Sequence, residues 1–336
     1  MSKKRFFAGG LVLLFAIGLG SIAFFKKLDT PPGRGITNEF NLQRGWGVRT
    51  VALALEDSSL VRSRWLVLLH YRRNFPGLSL LAGQYSLSDT MEINTILTKF
   101  TEGDVVPEPT SWVTLPPGLR IEQSLAVIAE CLNTPIDELV RLSGDVDFME
   151  NLGVPCLEGF LFPETYEFAD SLPAMSILTR IVTTGFEVMD DNWKARCDSV
   201  GLSPFDALVL ASIVEREAAS DAERDMVAGV FINRLRIGMR LESCATVQYA
   251  LGEVHERLLF SDLEIDSPYN TYRNPGLPPG PICSPGSASL EAVANPDTSD
   301  GYLFFVSRGD GSGEHLFAVT SAGHAANIRL VREAAY

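Results

Sequence analysis

Residues 207–241 read ALVLASIVEREAASDAERDMVAGVFINRLRIGMRL, a stretch that sets acidic residues into an otherwise apolar helical stripe. Leu210, Ile213 and Val214 recur at helical spacing. The next position of that stripe, four beyond Ile213 and three beyond Val214, is Glu217. A carboxylate on that face looks into the interior or into a cleft. Desolvation favours the protonated form of such a group, and a general acid working near neutral pH needs that form. Glu217 is therefore the candidate catalytic residue. The alternative is a surface helix on which Glu215, Arg216 and Glu217 are all solvated. Glu215 and Glu217 are two apart, roughly 200° around a helix axis, so they point to opposite sides and do not flank one bond as a pair.

Residues 267–285, SPYNTYRNPGLPPGPICSP, hold too much Pro, Gly and Asn for a helix or a central strand, and read as a long shaped loop. On it Tyr269, Asn270, Thr271 and Tyr272 set two aromatic faces beside two polar side chains, a combination suited to the apolar ring face and hydroxyl rim of a sugar. A rigid connector is the bland alternative. Beyond the loop, Tyr302–Val306 and His315–Val319 flank a Gly/Asp turn and read as a hairpin. Upstream, Asn233 stands among Phe231, Ile232 and Leu235 on a second predicted helix, where a buried amide needs a partner. Arg234 and Arg240 suit carboxylates of a ligand; alternatively Asn233 braces the fold and the arginines pair with Glu223 or Asp225. The run LEGFLFPETYEF at Leu157–Phe168, with Glu158 and Glu164 among aromatics, reads as a core seam or as one wall of a cleft.

ASIVEREA, VFINRLRIGMRL, SPYNTYRNPGLPPGPI, YLFFVSRGDGSGEHLF, LEGFLFPETYEF and LPPGLRIEQSLAVIAE at Leu115–Glu130 together resemble the endolytic murein transglycosylase (YceG-like) family of bacterial inner-membrane enzymes. The resemblance runs from about residue 45 to the C-terminus. It implies endolytic cleavage of peptidoglycan glycan strands beside the cell-wall synthases of the inner membrane. It carries the family's catalytic glutamate to the second Glu of VEREA, which is Glu217. Two departures stand out. Where the family usually has Asp-Pro, this chain has Cys244-Ala245, with Glu242 close by as a possible substitute. Where the family tends to carry Glu-His-Asn, Gly323-His324-Ala325 keeps only the histidine, which reads as a helix-capping or surface residue.

The chemistry can be argued separately. Glycoside hydrolases generally need two carboxylates, about 5–5.5 Å apart for retention or about 6.5–9.5 Å for inversion. A lytic transglycosylase needs less, because the C6 hydroxyl of the muramic acid residue attacks its own C1 and closes a 1,6-anhydro ring. One group donates a proton to the departing oxygen and then accepts the hydroxyl proton, and the tethered nucleophile brings a large effective molarity. A lone Glu217 fits that reaction. Asp206, Glu164 or Glu242 lying across the cleft would favour a muramidase using water, and a structural Glu217 would leave a non-catalytic glycan-binding scaffold of the elongation machinery.

At the N-terminus Lys3, Lys4 and Arg5 precede Phe6–Phe25, an uncharged, largely apolar stretch followed by Lys26-Lys27. About twenty such residues suffice for a bilayer span, and the leading basic residues favour a single-pass anchor with the N-terminus inside and the body outside the cytoplasm. Ser21-Ile22-Ala23 is the signal-peptidase alternative. The remaining chain divides into a polar linker at 26–44, a small LysM-like substrate-binding region at 45–134 and a helix-rich catalytic domain at 135–336 that ends in strands and loops, α+β overall. In the 45–134 region Arg49–Leu55 reads as a strand, Leu60–Arg72 as a helix, and Ser88 or Asp89 as the cap of a helix at Met91–Phe100. Strand Trp112–Leu115, turn Pro116-Pro117-Gly118 and helix Ile121–Leu132 resemble the small sugar-binding module. A net charge of −14 argues against nucleic acid as a partner. Five scattered cysteines without metal-ligand spacing argue against a metal site, and their odd number leaves at least one free thiol. The reaction needs no cofactor.

Overall fold

The computed structural model describes residues 26–252 and 258–334. The Phe6–Phe25 anchor expected above lies outside them. Among the described residues no single helix is long and apolar enough to cross a membrane. The chain forms two compact units that divide between Glu108 and Pro109.

The first unit runs β1 (Thr37–Leu42), α1 (Val48–Asp57), α2 (Arg64–Asn74), β2 (Gly83–Ser88) and α3 (Ile93–Glu102). The two strands pair antiparallel, with Phe40 opposite Tyr85 and Leu42 opposite Gly83. Alternation puts Phe40, Leu42, Tyr85 and Leu87 on one face, where Phe100 of α3 packs edge-on against Tyr85 with ring centroids 4.7 Å apart. Three expectations change here. Residues 49–55, read as a strand, are helical: VALAL alternates, but Val51, Ala52 and Leu55 are the buried positions, a 3.6-residue period. The polar segment read as linker holds β1. Asp89 caps no helix; its carboxylate is buried and accepts the Arg34 and Ile36 N–H groups at 2.9 and 3.0 Å.

The second unit begins with β3 (Thr110–Thr114), which pairs antiparallel with β4 (Thr165–Ala169). The unit boundary falls after Glu108, inside the 45–134 region and between the compact unit that the sequence reading ends near Gly103 and the strand it starts at Trp112, because the partner of β3 comes about fifty residues later in the chain. Between these strands lie α4 (Ile121–Leu132), at the bounds the sequence predicts, α5 (Ile136–Ser143) and α6 (Val146–Leu152). After them come α7 (Ala174–Val188), α8 (Asp191–Val200), α9 (Pro204–Glu217), α10 (Arg224–Arg236), α11 (Cys244–Leu251), α12 (Ser287–Ala294), the hairpin β5 (Phe304–Ser307) and β6 (His315–Ala318), and α13 (Ser321–Ala334). The chain is α+β, with its sheets limited to antiparallel pairs.

Helix α9 is the axis of this unit. Ser203 caps it, its Oγ accepting the Asp206 N–H at 3.1 Å, and Pro204 occupies the first turn, where its missing N–H costs nothing. Every residue from Ala207 to Val214 is buried, the signature of a helix enclosed on all sides. Its neighbours include α10, α12, α8 and α11. Ser212, wholly buried, donates to Val209 O at 2.7 Å and accepts the Ile282 N–H at 3.0 Å, tying the helix to the Pro-rich loop. The apolar burial ends at Glu215, and the last residue of α9 is Glu217.

Candidate active site

Glu215 and Glu217 point apart, as their spacing requires. Glu215 Oε2 accepts the Gly286 N–H at 3.0 Å and the Ser289 hydroxyl at 2.7 Å, with Arg224 Nη1 at 3.5 Å. It anchors the first turn of α12 and is spent on structure. Glu217 is half-buried. Its Oε1 accepts the Ser243 hydroxyl at 2.5 Å and the Ala245 N–H at 3.3 Å, both from the start of α11. Its Oε2 has no hydrogen bond among the described residues. One oxygen is thus fixed and the other is available for a proton transfer.

The rim of this carboxylate comes from α11 and the loop at 267–285. Thr271 is buried, accepts the Ser243 N–H at 3.0 Å and shares a hydrogen bond of 2.9 Å with Thr246 Oγ1. The Thr271 carbonyl accepts the Glu242 N–H at 3.3 Å. Cys244 Sγ lies 3.1 Å from Tyr272 Oη. Desolvation pushes both the thiol and the phenol above their ordinary values and the Glu217 charge adds to each, so both keep their protons at neutral pH beside the carboxylate.

The other predicted binding residues fare differently. Tyr269 packs on Tyr249 of α11, ring centroids 4.7 Å apart, and both it and Tyr272 are partly exposed. Asn270 is fully buried. Its Nδ2 donates to Leu263 O and Ile265 O at 2.8 and 2.9 Å, and its Oδ1 accepts the Tyr272 N–H at 3.0 Å. That amide shapes the loop and has little capacity left for a sugar, a correction to the sequence reading. Asn233 Nδ2 donates to Tyr302 O at 3.1 Å, so it braces the strand region. Arg234, also offered to ligand carboxylates, is buried and donates to Leu303 O at 2.6 Å and Leu241 O at 2.7 Å, with Glu242 Oε2 at 3.5 Å. Arg240 is exposed and has no ion-pair partner among the described residues, leaving it free for a ligand.

The second-carboxylate candidates are accounted for. Asp206 sits in the first turn of α9, eleven residues and so about 16 Å from Glu217 along the axis. Glu242 lies 3.5 Å from Arg234 Nη1, and its charge, like that of Glu217, acts on the Tyr272 phenol at the rim of the site. Glu164 is exposed and its Oε1 accepts the N–H of Thr165 at 3.0 Å. Among the described residues no group of three or more His, Cys, Asp or Glu side chains is placed to hold a metal ion.

Sequence reasoning missed Ser243, Thr271 as a clamp and Tyr249, and named Glu158 only as part of a seam or cleft wall. A serine ahead of a short helix is a recognisable N-cap position, so Ser243 carried a signal. Glu158, read as part of a seam, is 7 % exposed, and burial pushes its carboxyl up to about 7. The following Gly159 adopts φ 84°, and a Cβ there would meet Pro281 at 2.5 Å, so this turn needs glycine to lie against the Pro-rich loop.

These features define a mixed α+β protein with one half-buried carboxylate at the end of an enclosed helix, edged by aromatic side chains from a Pro-rich loop. The profile of the YceG-like family matches residues 40–330, and the chain belongs to that family. It is 33 % identical over 326 residues to the endolytic murein transglycosylase of Bacillus subtilis (strain 168), covering 91 % of this chain and 88 % of that one. It is 30 % identical over 298 residues to the protein of the same name from Streptococcus pneumoniae serotype 2, covering 79 % of this chain and 53 % of that protein, so it spans about half the length of that relative. The crystal structure of a yceG-like protein from Listeria monocytogenes superposes with a TM-score of 0.59 at 30 % identity, covering 87 % of this chain and 99 % of that one.

Proposed function

We propose that this chain is a membrane-anchored lytic transglycosylase that cuts within nascent peptidoglycan strands and so limits their length. The observation that carries the reading is the asymmetry of Glu217, with Oε1 held by two donors and Oε2 unbonded among the described residues. In the proposed reaction, protonated Glu217 gives its Oε2 proton to the glycosidic oxygen leaving C1 of N-acetylmuramic acid. The C6 hydroxyl of the same sugar attacks C1, and Glu217 takes the hydroxyl proton. One bond breaks, one forms, the proton returns to the enzyme, and the product ends in 1,6-anhydro-muramic acid. The Ser243 hydroxyl and the Ala245 N–H stabilise the carboxylate while its proton is away, as fixed dipoles aimed at a developing charge do.

Tyr269 and Tyr272 serve as the sugar-facing aromatics, with Arg240 available for lactyl or peptide carboxylates. The single-carboxylate route is supported by the remoteness of Asp206 along α9 and by the pairing of Glu242 with Arg234. The segment Phe6–Phe25 holds the body at the outer face of the cytoplasmic membrane, near the synthases that supply the strands, and β3 with α4, which resemble a small sugar-binding module, grip glycan. Replacing Glu217 with Gln in the full chain is expected to abolish turnover of uncrosslinked glycan strands while strand binding persists. Undiminished turnover by that variant would overturn the reading.

A further inference from the structure

Helix α11 is only eight residues long, and carboxylates meet it at both ends. Its start holds Glu217 through Ser243 and Ala245. Near its other end, Tyr249 donates its hydroxyl to Glu158 Oε2 at 3.3 Å. The same oxygen accepts the Ile121 N–H at 3.3 Å. Arg120 Nη2 donates to Gln248 O at 2.9 Å and lays its guanidinium 5.2 Å from the Tyr249 ring centroid. The other Glu158 oxygen, Oε1, is buried and makes no hydrogen bond of regular geometry, the Gly159 N–H being the one further donor that acts on the carboxyl. An ionised carboxylate in this seat leaves part of its charge on an orphaned oxygen, an expensive arrangement. The neutral acid removes that charge, with Oε2 as the carbonyl oxygen taking both donors, and leaves only an unpaired Oε1 hydroxyl, a smaller penalty than a buried unpaired charge.

We propose that Glu158, in its protonated form, is a positioning residue for the reaction. Through Tyr249 it seats α11, and with it the Ser243 and Ala245 donors, against Glu217. Loss of its proton unseats the helix and lowers turnover. The proposal rests on the reading of Glu217 as the acid. The charged and titratable groups facing Glu158 are Arg120 and Glu122 at the start of α4, Tyr249 on α11, Tyr269 and Cys283 on the Pro-rich loop, and Cys156 in its own turn, whose Sγ donates to Glu158 O at 3.5 Å. Burial pushes Cys156, Tyr249, Tyr269 and Cys283 up, so all four stay protonated where Glu158 changes charge.

The test compares kcat at pH 6 and pH 8 for the full chain and for Glu158→Gln, which keeps the volume, accepts the same two bonds and never ionises. A required proton held near pH 7 accounts for about a tenfold fall in kcat across that interval. The expected result is a pH 6 to pH 8 ratio at least about fivefold smaller in Glu158→Gln than in the wild type. An unchanged ratio, with or without a uniform loss of activity, overturns the proposal, because a merely structural role moves kcat equally at every pH. A thermal melt checks folding, and if Glu158→Gln does not fold, Tyr249→Phe cuts the same link and must shrink the ratio in the same way. Undiminished turnover in Glu217→Gln instead overturns the reading of the acid, so the two failures are distinguishable.

Discussion

The two oxygens of Glu217 have different surroundings, and this asymmetry sets expectations for single substitutions. Ser243→Ala removes a hydrogen bond to a group that must carry charge during the reaction, at a cost of about 2 kcal/mol, or about thirtyfold in kcat by steady-state assay. Ala245→Pro removes one backbone N–H, the weaker donor by its 3.3 Å length, with an expected loss of about fivefold. Equal activity of Ser243→Ala and wild type would show that the fixed oxygen is not part of the mechanism. Glu158 makes a prediction about stability as well. Its folded-state value of about 7 lies above the ordinary 4.5, so the native protein binds more protons than the unfolded chain between those values. The stabilising contribution is full below about 4.5 and is lost as pH rises through about 7, a change on the order of a few kcal/mol. Urea midpoints measured at pH 5 and pH 8 should fall with pH more steeply for the wild type than for Glu158→Gln, and parallel falls would contradict this.

Among the elements, α9 and the Pro-rich loop do the placing. Ser203→Ala removes the cap of α9 and is expected to cost about 1 kcal/mol in chemical denaturation, with kcat little changed because Glu217 lies at the far end. Gly159→Ala meets both a left-handed φ of 84° and the Pro281 ring, so its loss should exceed that of the cap. A Gly159→Ala variant as stable as wild type would mean that this turn does not bear on the loop as described. Much of this architecture was legible in the sequence. The α4 helix, the β5–β6 hairpin and the opposed directions of Glu215 and Glu217 follow from local periodicity and spacing, which is information carried by neighbouring residues. The misreadings have equally physical origins. VALAL satisfies both a strand period and a helix period over five residues. TNEFNL is polar because β1 has one exposed face, and its partner β2 lies some forty residues on. Asn270 has the composition of a ligand group, yet its amide is consumed by carbonyls that only the folded loop brings near. The orphaned oxygen of Glu158 is likewise a tertiary property, invisible in LEGF.

Across the whole molecule, two separate cores have a thermodynamic consequence. The first unit is closed by Phe40, Tyr85, Leu97 and Phe100 and the second by the sheath around α9, with the division at Glu108 and Pro109. Calorimetry of the full chain should resolve two unfolding steps, and a segment beginning at Pro109 should reproduce one of them; a single step for the full chain with no matching transition in the segment would contradict independent cores. The YceG-like family profile matches residues of both units. The central claim is that one glutamate cleaves glycan by intramolecular attack. Mass spectrometry of uncrosslinked glycan strands incubated with the wild-type chain tests it most directly. The account predicts internal fragments ending in 1,6-anhydro-muramic acid, each lighter by one water than a hydrolytic product, and none with Glu217→Gln. Reducing ends from the wild type, or anhydro ends from the variant, would contradict it.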